Sequence, residues 1–587
     1  MKRTCLTFPL LLLSLYLPGQ LPPVFSARAG ETARVDPLTR VYLLPTRVAW
    51  TSSEERVRNP GVLLTPGEGQ AEMTPGVAYC TLSSSETEKA SILLDYGREL
   101  HGGLRLVTGF GSDRRPSLVR VRFGESIGEA NSQTLNSEWK VGFSTDDHAK
   151  RDVVIEIPRD GSIEIGNTGF RFVRIDLLES DRTIAIKEAR AIFRYRELPY
   201  LGSFACSDER LNAIWMTAAY TVHLNMQEFL WDGVKRDRCV WVGDMHPEVM
   251  TISAVFGYHD IVPRSLDLVV AQYPLPAWLN RMSAYSLWYL IIHKAWRDHH
   301  GDERFLRSHA DYIAGLVEIV AGKIKAGDDE GFGRKFLDWP SSPNTPGVEA
   351  GYHALLAWAM RDAAVLCNAL DRPDLAARCE EAVSLLKQRV KDPNGLKQAA
   401  ALMAIAGLMD AGKACEEYIA AGGADRFSTF YGYYMLEAMA LAGRHQEALD
   451  IIRAYWGGML DMGATTFWEN FNIAWMENAT RLDEWPVEGK RDIHGDFGEY
   501  CYPGYRHSLC HGWASGPAAW LSARVLGVTI LEPGCKRVRV SPHLGDLEWA
   551  EGAFPTPLGL IKISHEKRPD GSVETRVNAP EGIIVES

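Results

Sequence analysis

The segment 231–248, WDGVKRDRCVWVGDMHPE, sets Asp232, Asp237 and Asp244 among Lys235, Arg236 and Arg238 and beside Trp231 and Trp241. Charge this dense next to tryptophan is poorly suited to a core, because buried charges without partners are costly. A second segment, MGATTFWENFNIAW at 462–475, places Glu469 directly after Trp468, and a third, RHSLCHGWASGPAAWL at 506–521, carries His507, His511 and Trp513. Carboxyl groups supplied by separate loops, with Trp and His around them, suit cleavage of a glycosidic bond. One acid protonates the leaving oxygen, and a carboxylate on the opposite face of the ring activates water or attacks directly. A Trp surface next to an Asp or Glu raises its pKa, so that it can stay protonated near neutral pH. The structural alternative for 231–248 is a salt-bridged loop that pins two helices.

Such loops need a scaffold. Between 90 and 196 the runs SILLDYG, LRLVTGFG, SLVRVRFGES, RDVVIEI, FRFVRIDLL and TIAIKEARAIFRY alternate with period two between Gly and Asp breaks, which predicts a β-sandwich. From Ser207 and Asp208 the period changes to that of a capped helix through Leu211, Trp215, Ala218, Ala219 and Val222. Helical runs follow at 264–273, 284–296, 305–324, 352–370, 375–390, 396–408, 429–441 and 446–456. Short links between them fit an α-solenoid or a toroid of paired helices, and the lack of a fixed 34- or 40-residue repeat disfavours the solenoid. Pro247 suits the first turn of a helix, so the residues before it read as a loop. After 527 the strands return as RVRVSP, LIKISHEK, VETRVNAP and IIVE.

Composition narrows the function classes. Lys2 and Arg3 precede an apolar run broken by Pro9 and Pro18, and the small residues Ala27 and Ala29 follow, which predicts a signal peptide over 1–29 and a periplasmic or secreted protein. Cleavage takes the formal charge from −12 to −15, which argues against a nucleic-acid partner. No later segment is apolar enough to predict a membrane span. The remaining cysteines are scattered, with no CxxC pair and no His cluster at zinc spacing, and read as mostly buried thiols; no metal or other cofactor is implied. With 17 Trp and 21 Tyr, many near acidic residues, the chain has material for stacking sugar rings, so an oligosaccharide or polysaccharide is the expected partner. Oligomeric state is left open.

The three segments together resemble glycoside hydrolase family 78, the bacterial α-L-rhamnosidases, six-hairpin glycosidases with an (α/α)6 barrel. In the family's loop an Asp is followed four positions on by Arg, then Glu, a Trp and a closing Gly-Asp; here Asp232, Arg236, Asp237, Trp241, Gly243 and Asp244 stand at those places. GATTFWE at 463–469 and SLCHGW at 508–513 resemble later family motifs, as do FLDWP around Asp338 and Trp339 and the LDYGRELHGGLRL stretch at 94–106. The resemblance implies an N-terminal β-sandwich over 30–200, an (α/α)6-barrel catalytic domain over 201–527 and a small C-terminal β-sandwich over 528–587. It also implies an inverting hydrolase of α-L-rhamnosides or a related α-linked sugar, with Asp237 as general acid and Glu469 as general base. Asp232, Arg236, Asp244, Asp338 and His511 would bind the sugar, with Trp241, Trp339 and Trp468 around its ring. Two positions depart from the pattern: Asp237 replaces the family's Glu, shorter by one methylene, and Val240 stands where Gly commonly precedes the Trp. Two rival readings stay open. One is a helical-barrel hydrolase or lyase acting on uronic-acid sugars, with Lys235, Arg236 and Arg238 against the carboxylate; the other is a carbohydrate-binding protein that has lost catalysis.

Overall fold

Strands between Thr39 and Tyr195 hydrogen-bond into one nine-stranded antiparallel sheet network. In the computed structural model, residues 34, 36–72, 74, 76–110, 115–132, 148–500 and 502–586 are described; the signal peptide expected over 1–29 lies outside them. Period-two patterning is literal in Cys80–Ser84, where every second residue is buried. The long strands Ser91–Gly109 and Gly161–Leu177 pair along their length, Leu94 opposite Val173, and bury Ile92, Leu94, Phe170 and Ile175 in one apolar core. After Ser117–Gly124 a short helix, Ile127–Asn131, begins at Ser126, whose hydroxyl accepts a hydrogen bond from the Glu129 amide at 3.1 Å. That cap holds Glu129 in place near the candidate site.

The helical region begins at Glu209–Asn225, capped by Asp208, which accepts from the amides of Arg210 and Leu211 as its sequence position predicts. Helices then pack against one another, Ser283–His300 on Thr345–Ala369 and Thr345–Ala369 on Pro373–Lys387, around fully buried Trp288, Trp456 and Trp520. The helix expected over 305–324 is two helices, Glu303–Ser308 and Ala310–Ala326. They meet at His309, whose ring nitrogens engage Asp267 and the Tyr289 hydroxyl. Side-chain bonds of this kind carry no periodic signal.

Two small sheets follow, one of Val528–Glu532, Arg537–Val540 and Ile584–Glu586, the other of Trp549–Thr556, Gly559–Lys567 and Val573–Asn578. Ser203–Cys206 adds a fourth strand to the second sheet, Ser203 opposite Ala553, although it precedes the helices and fell within the expected 201–527 domain. Four residues are too few to display an alternation. The eight described cysteines are free, and all but Cys239 are buried. Among the described residues no helix is long and apolar enough to cross a membrane.

Candidate active site

The three segments singled out by their chemistry meet in space. Segment 466–470 runs against 507–511: the Glu469 amide donates to the Ser508 carbonyl at 3.0 Å, the His511 amide to the Phe467 carbonyl at 3.0 Å, and the Thr466 hydroxyl to the Leu509 carbonyl at 2.7 Å. The 231–244 loop joins them through a bridge between Gly233 and His511, and the Gly512 amide donates to the Asp232 carbonyl at 2.8 Å. The loop is closed on itself by the Cys239 amide, which donates to Asp232 Oδ1 at 2.9 Å. These backbone bonds fix side chains drawn from positions 280 residues apart around one cavity of about 560 Å³.

Asp232, Arg236, Asp237, Trp241, Asp244, Trp339, Glu469 and His511 all line this cavity. The Arg236 guanidinium lies between two carboxyl groups, with one end bonded to Glu469 Oε1 and the other 3.5 Å from Asp237 Oδ1. Glu469 is buried, with a side chain 3% exposed, whereas Asp237 is 23% exposed and takes a 3.0 Å contact from His148 Nε2. The two carboxyls therefore differ in depth. Burial pushes the Glu469 carboxyl up to about 7, with Arg236 opposing that rise and Asp237 adding to it. His511 Nε2 stands 3.6 Å from Glu469 Oε1 and 3.8 Å from both Asp232 Oδ2 and Asp244 Oδ2. Burial, with Arg236 and His507 near, holds that imidazole well below its ordinary range and so neutral. Burial raises Asp232 and Asp244 well above theirs, and their neighbouring carboxyls add to the rise; Asp244 accepts a bond from the Tyr285 hydroxyl at 3.1 Å.

Two expected residues lie elsewhere. Asp338 is turned into the core, where it accepts from Ser428 Oγ at 2.7 Å, the Ser341 amide at 3.0 Å and Gln398 Nε2 at 3.1 Å; it shapes the turn and does not line the cavity. Trp468 is fully buried against Phe471 and His507. In both cases the adjacent residue, Trp339 or Glu469, lines the cavity. The cavity also includes residues that the sequence did not single out, among them Tyr285, Arg334 and Tyr502; Phe336, Arg506 and Trp513 come from the segments already named, and Trp513 stacks on Phe430. Tyr285 sits in a helix whose pattern is apolar, and Arg334 precedes FLDWP by two residues in a loop without a periodic signal.

Residues 199–390 match the bacterial α-L-rhamnosidase six-hairpin glycosidase domain, and residues 527–586 match the bacterial α-L-rhamnosidase C-terminal domain. Over these two segments the chain is similar to the bacterial α-L-rhamnosidases. It is 22% identical to an α-L-rhamnosidase of Alteromonas sp. (strain LOR), covering 92% of this chain and 60% of that protein. Its fold is similar to that of a family 78 rhamnosidase of Bacillus sp. GL1, with a TM-score of 0.68, 23% identity, and coverage of 90% of this chain and 55% of the other. It is also similar to a Klebsiella oxytoca rhamnosidase solved with rhamnose bound, with a TM-score of 0.62, 19% identity, and coverage of 83% and 96%. The chain thus spans about 60% of the length of the curated relative it matches.

A buried cation links the β-rich region to the loop that carries Asp237. The Lys235 ammonium is buried among Glu129 Oε1 at 2.9 Å, Glu125 Oε2 at 3.2 Å, the His507 carbonyl at 2.9 Å and the Tyr505 carbonyl. Arg151 adds a second cation to Glu129 at 2.7 Å, and His494 bonds Ser126 and the His507 carbonyl. Lys235 is therefore the cation of a carboxylate cluster, and it tethers residues 236 and 237 to both neighbouring segments. Asp237 and Arg238 follow it with φ of 55° each, in the left-handed region that non-glycine residues seldom adopt. Such backbone is held only where surroundings over-determine it. Here Lys235 on one side and the bond from Arg238 Nη1 to the Asn167 carbonyl, 2.9 Å, on the other do so.

Proposed function

We propose that the chain is an inverting glycoside hydrolase that removes terminal α-L-rhamnose, with Asp237 as general acid and Glu469 as general base on an (α/α)6 barrel. The observation that carries this reading is the Arg236 guanidinium bridging two carboxyls of unequal burial. A guanidinium's width with one contact at each end is in keeping with the roughly 6.5–9.5 Å that inverting pairs require. Water next to Glu469 gives it a proton as the water oxygen attacks the anomeric carbon. From the other face Asp237 delivers its proton to the departing glycosidic oxygen, so the bond breaks to a neutral alcohol. The left-handed turn at 237 supports this role, because it carries the shorter Asp side chain to the cavity wall.

Asp232, Asp244 and His511 surround a point that none of them fills with a direct hydrogen bond among themselves, a setting suited to a sugar hydroxyl. Trp241, Trp339 and Trp513 wall the ring's apolar faces. Release of rhamnose from an aryl α-L-rhamnoside, set against aryl glycosides of other sugars, tests the proposal. Rhamnose release by this chain supports it. Retained affinity for rhamnose without release from any glycoside would favour the carbohydrate-binding alternative.

The Glu469 environment adds a pH signature. A base works only when ionised, so kcat/KM is expected to fall about tenfold per unit as pH drops below about 7. Arg236 lowers that value, so Arg236→Gln should move the acidic limb upward by about one unit or more. A pH–rate profile checks both statements, and an unmoved limb in the variant would remove Glu469 from the role of base.

A further inference from the structure

A second cavity, of about 570 Å³, adjoins the first, and Arg334 and Phe336 line both. Both volumes are in the range of small-ligand sites. A glycosidase that cuts in the inner cavity needs open space beyond it for the leaving group, and the outer cavity is a neighbouring space that shares the Arg334–Phe336 wall. The charges of the outer cavity are mostly matched: Lys335 lies 3.8 Å from Glu349, and Lys391 lies 3.2 Å from Glu349 and 3.7 Å from Asp329. Two are not. Among the described residues neither Arg334 nor Glu330 makes an ion pair. The Arg334 guanidinium rests 5.3 Å from the Trp339 ring centre and 5.8 Å from that of Phe336, so two aromatic faces orient an exposed cation at the junction of the cavities.

Resting on the α-L-rhamnosidase reading, we propose that this outer cavity is the leaving-group subsite and that Arg334 selects a leaving sugar bearing a carboxylate, a uronic acid. The planar guanidinium fork matches a carboxylate with two parallel hydrogen bonds, which a neutral hydroxymethyl group cannot reproduce. Glu330, on the same outer wall, opposes the anion and sets the preference lower than Arg334 alone would give.

The test compares α-L-rhamnosyl-glucuronic acid with its carboxyl-reduced counterpart, rhamnosyl-glucose of the same linkage, for the wild type, Arg334→Gln and Glu330→Gln. The readout is the ratio of kcat/KM values. The proposal expects a wild-type ratio of about ten or more in favour of the uronate, carried by KM and weakened by salt, falling to near one in Arg334→Gln and rising in Glu330→Gln. A wild-type ratio of one or less, or a preference that survives Arg334→Gln, overturns it. If no α-L-rhamnoside of any kind is cleaved, the rhamnosidase reading fails separately. The subsite is then judged by calorimetric titration of methyl glucuronide against methyl glucoside: selective binding lost in Arg334→Gln sustains it, and equal or absent binding refutes it.

Discussion

Glu469→Gln should lower kcat on an aryl α-L-rhamnoside by about 10²–10⁴-fold, the span that general acid–base groups typically contribute, while leaving substrate affinity largely in place. The amide keeps the side chain's volume and can still accept from the Ser508 amide, but it cannot take a proton from water. The loss should be nearly independent of the leaving group, because the base acts on the attacking side. Asp237→Asn should behave differently. With a sugar as leaving group its loss should be of similar size, and with a nitrophenol, which departs without help, much smaller. Steady-state kinetics of both variants on the two substrate types separate the roles. Equal sensitivity to the leaving group in both variants would mean that acid and base are misassigned.

Lys235→Met should destabilise the fold by about 3–5 kcal/mol, the cost of breaking a buried ion pair by removing one partner. The ammonium is enclosed by two carboxyls and two carbonyls, and the Lys235, Glu125 and Glu129 side chains are each at most 1% exposed. Arg151 continues to balance Glu129, so Glu125 bears most of the loss. Burial already raises the Glu125 carboxyl while Lys235 opposes that rise, so without Lys235 Glu125 is expected to take up a proton. Chemical denaturation at neutral pH measures the effect, with Lys235→Arg as the variant that retains the charge. A Met variant as stable as the wild type would show that the cluster contributes nothing net. A stable Met variant that has also kept full kcat would remove Lys235 from any part in placing Asp237.

The helical and β-rich regions were legible because their periods differ over long stretches, and the Asp208 cap sat where the period changed. The three site segments were legible for another reason: charged groups beside Trp in 231–248, 462–475 and 506–521 are costly to bury without one another, and the structure brings them to one cavity. Their fine assignment was less so. In FLDWP and FWEN the sequence names two polar or aromatic neighbours without saying which one faces inward. Asp338 and Trp468 proved to be the inward ones. Contacts between distant residues left no local trace at all. Glu125 and Glu129 read as ordinary polar positions after a strand, yet they close on Lys235 more than 100 residues later. Arg334 likewise lies outside every motif and becomes significant only through the two cavities that share it.

The most direct test of the central claim, a single displacement by water across Asp237 and Glu469, is the anomer first released from an α-L-rhamnoside, followed by proton NMR before mutarotation. The account predicts β-L-rhamnose as the initial product. Initial release of α-L-rhamnose would mean a covalent intermediate and two displacements, and would contradict it.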